Sequence, residues 1–233
     1  MTMIGDDLQQ VRARIDRACA QAGRDPSAVR LLAVSKTFGP EAVREAHAAG
    51  QAAFGENYVQ EGLDKIAALA DLRAGLEWHC IGPLQSNKTR PVAEQFDWVH
   101  SIDRLKIAER LSAQRPAHLP PLQVCLQVNV DGGAYKSGVP PEEALALARA
   151  VAALPQLTLR GLMAIPEPAA DFAAQRELCL RAHAVFESIR AAGIALDTLS
   201  LGMSGDLEAA VSAGSTMVRV GTAIFGGRVK APA

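Results

Sequence analysis

Short runs of apolar residues alternate along the chain with longer stretches in which apolar residues recur every three or four positions. The first short run, LLAV, occupies residues 31–34, and residues 6–21 before it have the helical spacing. A short apolar run between helical stretches is typical of a strand that is buried on both faces of a parallel sheet. The pattern therefore predicts β–α units that repeat along the chain.

Eight such strands can be assigned, and no Gly/Ser-rich linker divides the chain. Eight β–α units favour a closed (β/α)₈ or TIM barrel, an α/β fold, formed by residues 1–233 as one domain with the N-terminal helix as an extra element. The alternative, an open doubly wound sheet, usually has a Gly-rich turn after its first strand, and SKTFGP is not such a turn. The predicted strands are residues 31–34, 52–55, 77–81, 98–101, 122–130, 158–165, 198–201 and 216–220.

The helices between these strands are predicted from their apolar spacing and their terminal residues. Asp103 is expected to cap one of them, which ends at Gln114. The other predicted helices are residues 40–49, 59–72, 88–93, 141–153, 171–192 and 206–213.

The composition argues against several classes of protein. The 24 basic and 25 acidic residues leave a formal net charge of -1, which does not favour binding to nucleic acid or a membrane surface by bulk charge. No stretch approaches the ~18 continuous apolar residues of a membrane span, and the N-terminus lacks a secretory signal. The four cysteines form no CxxC pair and indicate reduced thiols. We therefore expect a cytoplasmic protein without a metal site.

Lys36 lies where the first predicted strand ends, at the edge where α/β barrels bind their ligands. An amine that is partly shielded from water has its ammonium form disfavoured, so its pKa falls from about 10.4 and it becomes a usable nucleophile. The alternative is a surface lysine just beyond a strand. Lys36 is therefore a candidate nucleophile.

Two glycine-containing loops follow the seventh and eighth strands, where barrels commonly bind phosphate. They read GMSGD at residues 202–206 and GTA at residues 221–223, and the alternative for each is a turn with a helix cap. Arg219 precedes the second loop and either points into the barrel mouth or forms a salt bridge. A lysine beside a phosphate site indicates pyridoxal 5′-phosphate (PLP) held as a Schiff base or an aldolase for phosphorylated sugars, and the residues alone do not separate these.

Several longer motifs, in a fixed order over nearly the whole chain, resemble the pyridoxal phosphate homeostasis protein family. The chain departs from the family pattern in reading SKTFG where many members have SKTKP, and SGD where many have SDD. The motifs that carry the resemblance are LLAVSKT, FGENYVQE, WHCIGPLQSNK, VHSIDR, KSG and LSLGMSGDLEAAVSAGSTMVRVGTAIFG.

The resemblance implies a single barrel like the N-terminal domain of alanine racemase, a fold-type III PLP protein, with PLP bound as a Schiff base to Lys36. It places Asn57 and either His79 or Ile81 near the pyridine ring and Arg219 at the ring nitrogen. It assigns the phosphate to Ser204, Gly221 and Thr222, next to Met203. Lys136, in the KSG motif, is either a secondary cofactor lysine or a mobile, solvated one.

Two functions are compatible with this site. The first is a non-catalytic carrier that limits free PLP and delivers it to apo-enzymes, and the second is a PLP-dependent amino-acid racemase. Racemases of this type carry an added domain with a second acid/base, and the chain extends only about a dozen residues beyond its eighth strand, so we favour the carrier. A monomer and a weak dimer both remain open. Asp64 and Lys65 are interpreted as part of a solvated helix face.

Overall fold

Eight parallel strands close into one barrel in the order in which they occur along the chain. We describe this fold from a computed structural model, which describes residues 3–133 and 137–227. Every strand pairs with its neighbours in sequence, and the first also pairs with the last. The strands are β1 (Arg30–Val34), β2 (Ala53–Glu56), β3 (Glu77–Cys80), β4 (Trp98–Ile102), β5 (Leu122–Gln127), β6 (Leu157–Met163), β7 (Thr198–Ser200) and β8 (Met217–Val220).

Helices follow the strands and surround the barrel, as right-handed β–α–β connections require. One further helix precedes the first strand and packs against the last two helices of the chain. These observations confirm the predicted (β/α)₈ barrel with an extra N-terminal helix. The helices are α1 (Ile4–Gln21), α2 (Pro40–Ala48), α3 (Val59–Ala68), α4 (Thr89–Gln95), α5 (Leu105–Gln114), α6 (Pro141–Ala152), α7 (Phe172–Ala191), α8 (Leu207–Ser212) and α9 (Thr222–Phe225).

Several predicted boundaries were wrong by one or more residues, and three of them have a clear local cause. The fifth strand ends at Gln127 because the chain then turns to pair with itself, and Asn129 donates its N–H to the carbonyl of Val139. The third helix ends at Ala68 and is followed by a separate 3₁₀ turn, Ala70–Gly75. The fifth helix begins at Leu105, so its N-cap is Arg104 rather than Asp103.

Most of the apolar core lies between the outside of the barrel and the surrounding helices. The inside of the barrel instead holds two small apolar clusters, one around Leu32, Ile81 and Met217 and one formed by Trp98, Cys125 and Met163. Inward-facing residues of parallel strands alternate with outward-facing ones, so each strand contributes to both cores. The interior also contains polar side chains, and these extend to the mouth of the barrel.

The four cysteines of the chain are free thiols, and all four are buried. Unpaired thiols agree with the expectation of reduced cysteines. No helix in the described ranges is long and apolar enough to cross a membrane.

Candidate functional site

A cavity of about 300 Å³ opens at the carboxyl ends of the strands, where the predicted site residues were expected to converge. This volume is at the lower end of the range for small-molecule sites. Its wall combines one amine, one guanidinium, one amide and several hydroxyl groups with apolar surface. The predicted residues that line it are Lys36, Asn57, Ile81, Met203, Ser204, Arg219, Gly221 and Thr222.

Lys36 follows β1 in a tight turn that runs from Ser35 to Phe38. The N–H of Phe38 donates to the carbonyl of Ser35 at 3.1 Å, and Thr37 has a φ of 70°. A positive φ at the third position is that of a type II turn, which normally carries Gly or Asn there. The turn places Lys36 in the cavity wall with its side chain partly buried.

Arg219 projects from β8 into the interior and is 4% exposed. Its Nη1 donates to the carbonyl and the hydroxyl of Ser200 at 2.6 and 2.8 Å, and its Nη2 donates to the carbonyl of Ala164 at 2.9 Å. Burial lowers the pKa of Arg219 to about 10, so the guanidinium remains charged at neutral pH. Three of its five N–H donors are thus bound by these neutral groups. The remaining N–H donors are available to a ligand in the cavity that Arg219 lines.

The two glycine-containing loops lie together on one side of the cavity. Gly221 is the N-cap of α9, and the first N–H groups of a helix have no acceptor within it. The carbonyl of Ser204 accepts a hydrogen bond of 2.8 Å from Arg14 of α1, which also pairs with Glu208. The extra N-terminal helix therefore holds one of the two loops in place.

Asn57 is positioned by a close approach between the ends of β2 and β3. Gly82 lies so near the Asn57 backbone that a Cβ atom would come within 2.0 Å of its carbonyl oxygen. Only glycine fits there, which explains the glycine that follows the third strand. Ile81 lies beside this contact and lines the cavity.

His79 does not line the cavity, in contrast to the other predicted residues. It lies two residues before Ile81, deeper in the barrel, and is fully buried. Its Nε2 lies 2.7 Å from Glu77 Oε1 and its Nδ1 lies 2.9 Å from His100 Nε2. Of the two residues considered for the pyridine ring, Ile81 is therefore the one at the cavity.

His79 belongs to a hydrogen-bonded chain that crosses the barrel from Glu77 to Arg219. We call this set of five residues, Glu77, His79, His100, Ser200 and Arg219, the interior chain. His100 Nδ1 lies 3.2 Å from the Ser200 hydroxyl, which in turn accepts from Arg219. The interior chain thus connects the amino-terminal end of the strands, where Glu77 begins β3, to the cavity at their carboxyl ends.

The hydrogen bonds of the interior chain all point in one direction. Burial lowers the pKa of His79 and lowers that of His100 well below its ordinary value, so both rings are neutral. The carboxylate of Glu77 can only accept, so His79 donates its Nε2–H to it; each neutral ring then accepts at its Nδ1, and the Ser200 hydroxyl donates to His100. Burial favours a raised pKa for Glu77, but the hydrogen bond from His79 and the charge of Arg30 hold that pKa below its ordinary value. The chain therefore ends on a carboxylate.

Several residues of the site carried no functional signal in the sequence. Phe38 and Ile165 also line the cavity, and the Phe38 ring lies 5.3 Å from that of Phe225. Lys65 was wrongly interpreted as solvated, because it is 4% exposed, whereas Asp64 is exposed as expected. The one signal that could have found His100 is its position on the same inward face of β4 as Trp98.

Two predictions remain, one on Lys136 and one on metal binding. Lys136 lies outside the described residues. Within residues 3–133 and 137–227, no cluster of three or more His, Cys, Asp or Glu side chains is arranged to hold a metal ion.

The closed barrel, with a lysine after its first strand and an arginine on its last, defines a protein of the alanine racemase barrel class. Residues 7–229 match the family model described as alanine racemase, N-terminal domain. The chain is 62% identical over 232 residues to the pyridoxal phosphate homeostasis protein of Pseudomonas aeruginosa, covering 98% of this chain and 97% of that protein. The chain belongs to the pyridoxal phosphate homeostasis protein family, which confirms the resemblance drawn from its motifs.

Two further comparisons agree with this assignment. The pyridoxal phosphate homeostasis protein of Escherichia coli is 56% identical over 229 residues, which cover 98% of both chains. The structure of PipY from Synechococcus elongatus with PLP bound is similar with a TM-score of 0.83 and 38% identity, over 96% of this chain and 100% of that one.

Proposed function

We propose that this protein binds PLP as a Schiff base on Lys36 and acts as a non-catalytic carrier in PLP homeostasis. The observation that carries the proposal is the meeting of Lys36, Arg219 and both glycine loops around one cavity of about 300 Å³. The names of its relatives and the PLP bound to PipY support the same ligand.

The chemistry of the cavity wall fits the parts of PLP. When bound, PLP supplies an aldehyde that condenses with an amine, and Lys36 offers a partly buried amine at the cavity. Ser204, Thr222 and the backbone of Gly221 offer donors to a phosphate group, together with the first N–H groups of α9. Asn57, Ile81 and Met203 complete the wall around the ring.

Arg219 determines what the site does with the ring nitrogen. A guanidinium has only donors, so it hydrogen-bonds the nitrogen in its unprotonated form. An unprotonated ring withdraws electrons weakly, and a racemase must then compensate with a base on each face of its substrate. Among the described residues of the wall, Lys36 is the one side chain suited to that role. This favours storage and delivery of the aldehyde over turnover.

The attachment site can be tested by borohydride reduction of the protein after reconstitution with PLP. We expect peptide mass mapping to find the pyridoxyl group on Lys36, and the Lys36→Ala variant to lose it. Lys106→Ala is the matched control, because Lys106 is exposed on α5. A pyridoxyl group that stays in the Lys36→Ala variant at the wild-type level would contradict the assignment.

The carrier role needs a separate measurement. Loaded protein mixed with an apo-aminotransferase should restore its activity, while the loaded protein loses its own absorbance in proportion. Protein whose lysine link has been reduced with borohydride is the control and should restore nothing. Loaded protein that keeps its PLP in the presence of excess apo-enzyme would argue against a carrier.

A further inference from the structure

The turn that presents Lys36 is strained, and this strain must be offset elsewhere. Thr37 has a φ of 70°, and it is the one described non-glycine residue with a positive φ. A β-branched residue in this conformation lowers the population of the turn by about 10-fold or more. Some neighbouring group must therefore stabilise the turn.

A cluster of charged side chains outside the barrel wall contacts this turn on both sides of Lys36. We call this set, Glu56, Glu61 and Lys65, the α3 clamp. Lys65 Nζ donates to the carbonyl of Ser35 at 2.8 Å, and Glu61 Oε1 accepts the N–H of Thr37 at 2.5 Å. The peptide groups that flank Lys36 are thus each bound by a charged side chain.

The clamp is internally paired and largely removed from solvent. Lys65 Nζ lies 2.8 Å from Glu56 Oε1 and 2.7 Å from Glu61 Oε1, and Lys65 and Glu56 are 4% and 1% exposed. Glu56 Oε1 also accepts from the Ser35 hydroxyl at 2.6 Å. Every member of the clamp therefore binds either the turn or another member.

The clamp is not explained by stability alone. Burial raises the pKa of Glu56 despite the nearby Lys65, and its Oε2 is buried without a hydrogen-bond partner. Buried ion pairs of this kind are often no more stabilising than apolar side chains of similar volume. We therefore attribute the charged residues of the clamp to the geometry that they impose on the turn and not to the stability that they add.

We propose that Glu61 and Lys65 are positioning residues that hold the strained turn and thereby direct Lys36 into the cavity. This inference rests on the proposed role of Lys36 in binding PLP. In forming that link, Lys36 Nζ bonds to the aldehyde carbon and the aldehyde oxygen leaves as water, so the amine must approach the carbon in a fixed orientation. The clamp supplies this orientation through the backbone, without lining the cavity.

The first test follows the turn itself in the protein without PLP. Residue-resolved amide exchange should show the Thr37 N–H exchanging at least about 10-fold faster in Glu61→Ala than in wild type, because a hydrogen bond to a charged group is lost. Glu61→Gln keeps an acceptor oxygen and should show a smaller increase. The control is Asp64→Asn, which changes an exposed carboxylate on the same helix.

The second test measures the rate at which PLP becomes attached to Lys36. We expect a decrease of about 10-fold in Glu61→Ala, the equivalent of about 1.4 kcal/mol, and no change in Asp64→Asn. Adding Thr37→Gly to Glu61→Ala should restore the rate, because glycine adopts a positive φ without strain. A merely structural role of Glu61 in α3 would not be rescued in this way.

The outcomes separate this inference from the proposed function. Unchanged amide exchange and attachment rate in Glu61→Ala, or no rescue by Thr37→Gly, would overturn the clamp. If wild-type protein attached PLP elsewhere than Lys36, the proposed function would fail, while the exchange experiment would still report on the clamp. Should Glu61→Ala fold poorly, Glu61→Gln with and without Thr37→Gly gives the same comparison.

Discussion

The interior chain makes the stability of the protein depend on pH, and replacing His100 with glutamine should remove much of that dependence. His100 is fully buried and hydrogen-bonded to His79 and Ser200. Burial holds its pKa well below the ordinary value, so it stays neutral in the folded protein. Glutamine cannot titrate, and its amide offers a donor and an acceptor, but both lie at the end of the side chain and cannot replace the two ring nitrogens at once.

The sign and size of the effect follow from proton linkage. In the unfolded chain the imidazole has a pKa of about 6.5, so below that pH the unfolded state binds a proton that the folded state does not. Stability is therefore fully present above about pH 6.5 and falls as the pH decreases toward the lowered folded pKa. The slope is about 1.4 kcal/mol per pH unit, which for His100 amounts to about 2 kcal/mol between pH 7 and pH 5.

Urea unfolding at several pH values between 5 and 8 measures this directly. At pH 7 the His100→Gln variant should be less stable by about 1–3 kcal/mol, because the Ser200 hydroxyl loses a well-placed acceptor. Toward pH 5 the difference should shrink by about 2 kcal/mol, since the proton penalty of His100 is present in the wild type alone, whereas that of His79 is common to both proteins. His118→Gln, an exposed histidine, is the control and should follow the wild-type profile. Parallel profiles for wild type and His100→Gln would refute the reasoning.

Three other outcomes are expected. Ser204→Ala combined with Thr222→Val should weaken binding of PLP far more than that of pyridoxal in equilibrium dialysis, since each hydrogen bond to a charged group contributes about 1.5–3 kcal/mol; equal weakening would argue against this phosphate site. Gly161→Ala should abolish folding, because its Cβ would lie 1.6 Å from a carbonyl oxygen of β7, whereas Gly227→Ala meets no atom within 4 Å and should keep the wild-type circular dichroism spectrum. Loaded protein incubated with L-alanine in deuterated water should exchange the Cα proton far more slowly than about 1 s⁻¹, and NMR detection of faster exchange would indicate a racemase.

The fold could be predicted because its signal is repeated eight times. Each strand is a short apolar run, since a strand inside a ring of helices is covered on both faces. The errors occurred at ends, where apolar composition continues beyond the last paired residue. Val128 and Val130 are apolar and buried, yet they follow the end of β5, because the N–H of Val128 makes the last bond to β6 and the chain beyond it pairs with Val139.

Most of the cavity wall could also be predicted, because residues that follow parallel strands converge at one end of a barrel. The positions deeper in the barrel could not. Whether His79 reaches the cavity depends on how deep in the barrel interior it lies. The motif WHCIG does not indicate that depth, because its residues would be equally suitable near the cavity or below it. Lys65 was misjudged for a related reason, since a lysine beside an aspartate on an amphipathic helix is usually solvated.

The wall of the barrel separates two polar networks that serve different parts of the same site. The interior chain fixes the guanidinium of Arg219 from within the barrel, through Ser200 and His100. The α3 clamp fixes the backbone around Lys36 from outside, through Glu61 and Lys65. Neither His100 nor the clamp residues line the cavity. A buried charge is held in place only when its partners are also held. The positions of Lys36 and Arg219 are therefore determined by residues that lie behind the cavity wall and do not contact the cavity. Relatives that share the wall but differ in these partners should therefore bind the same ligand with different strength.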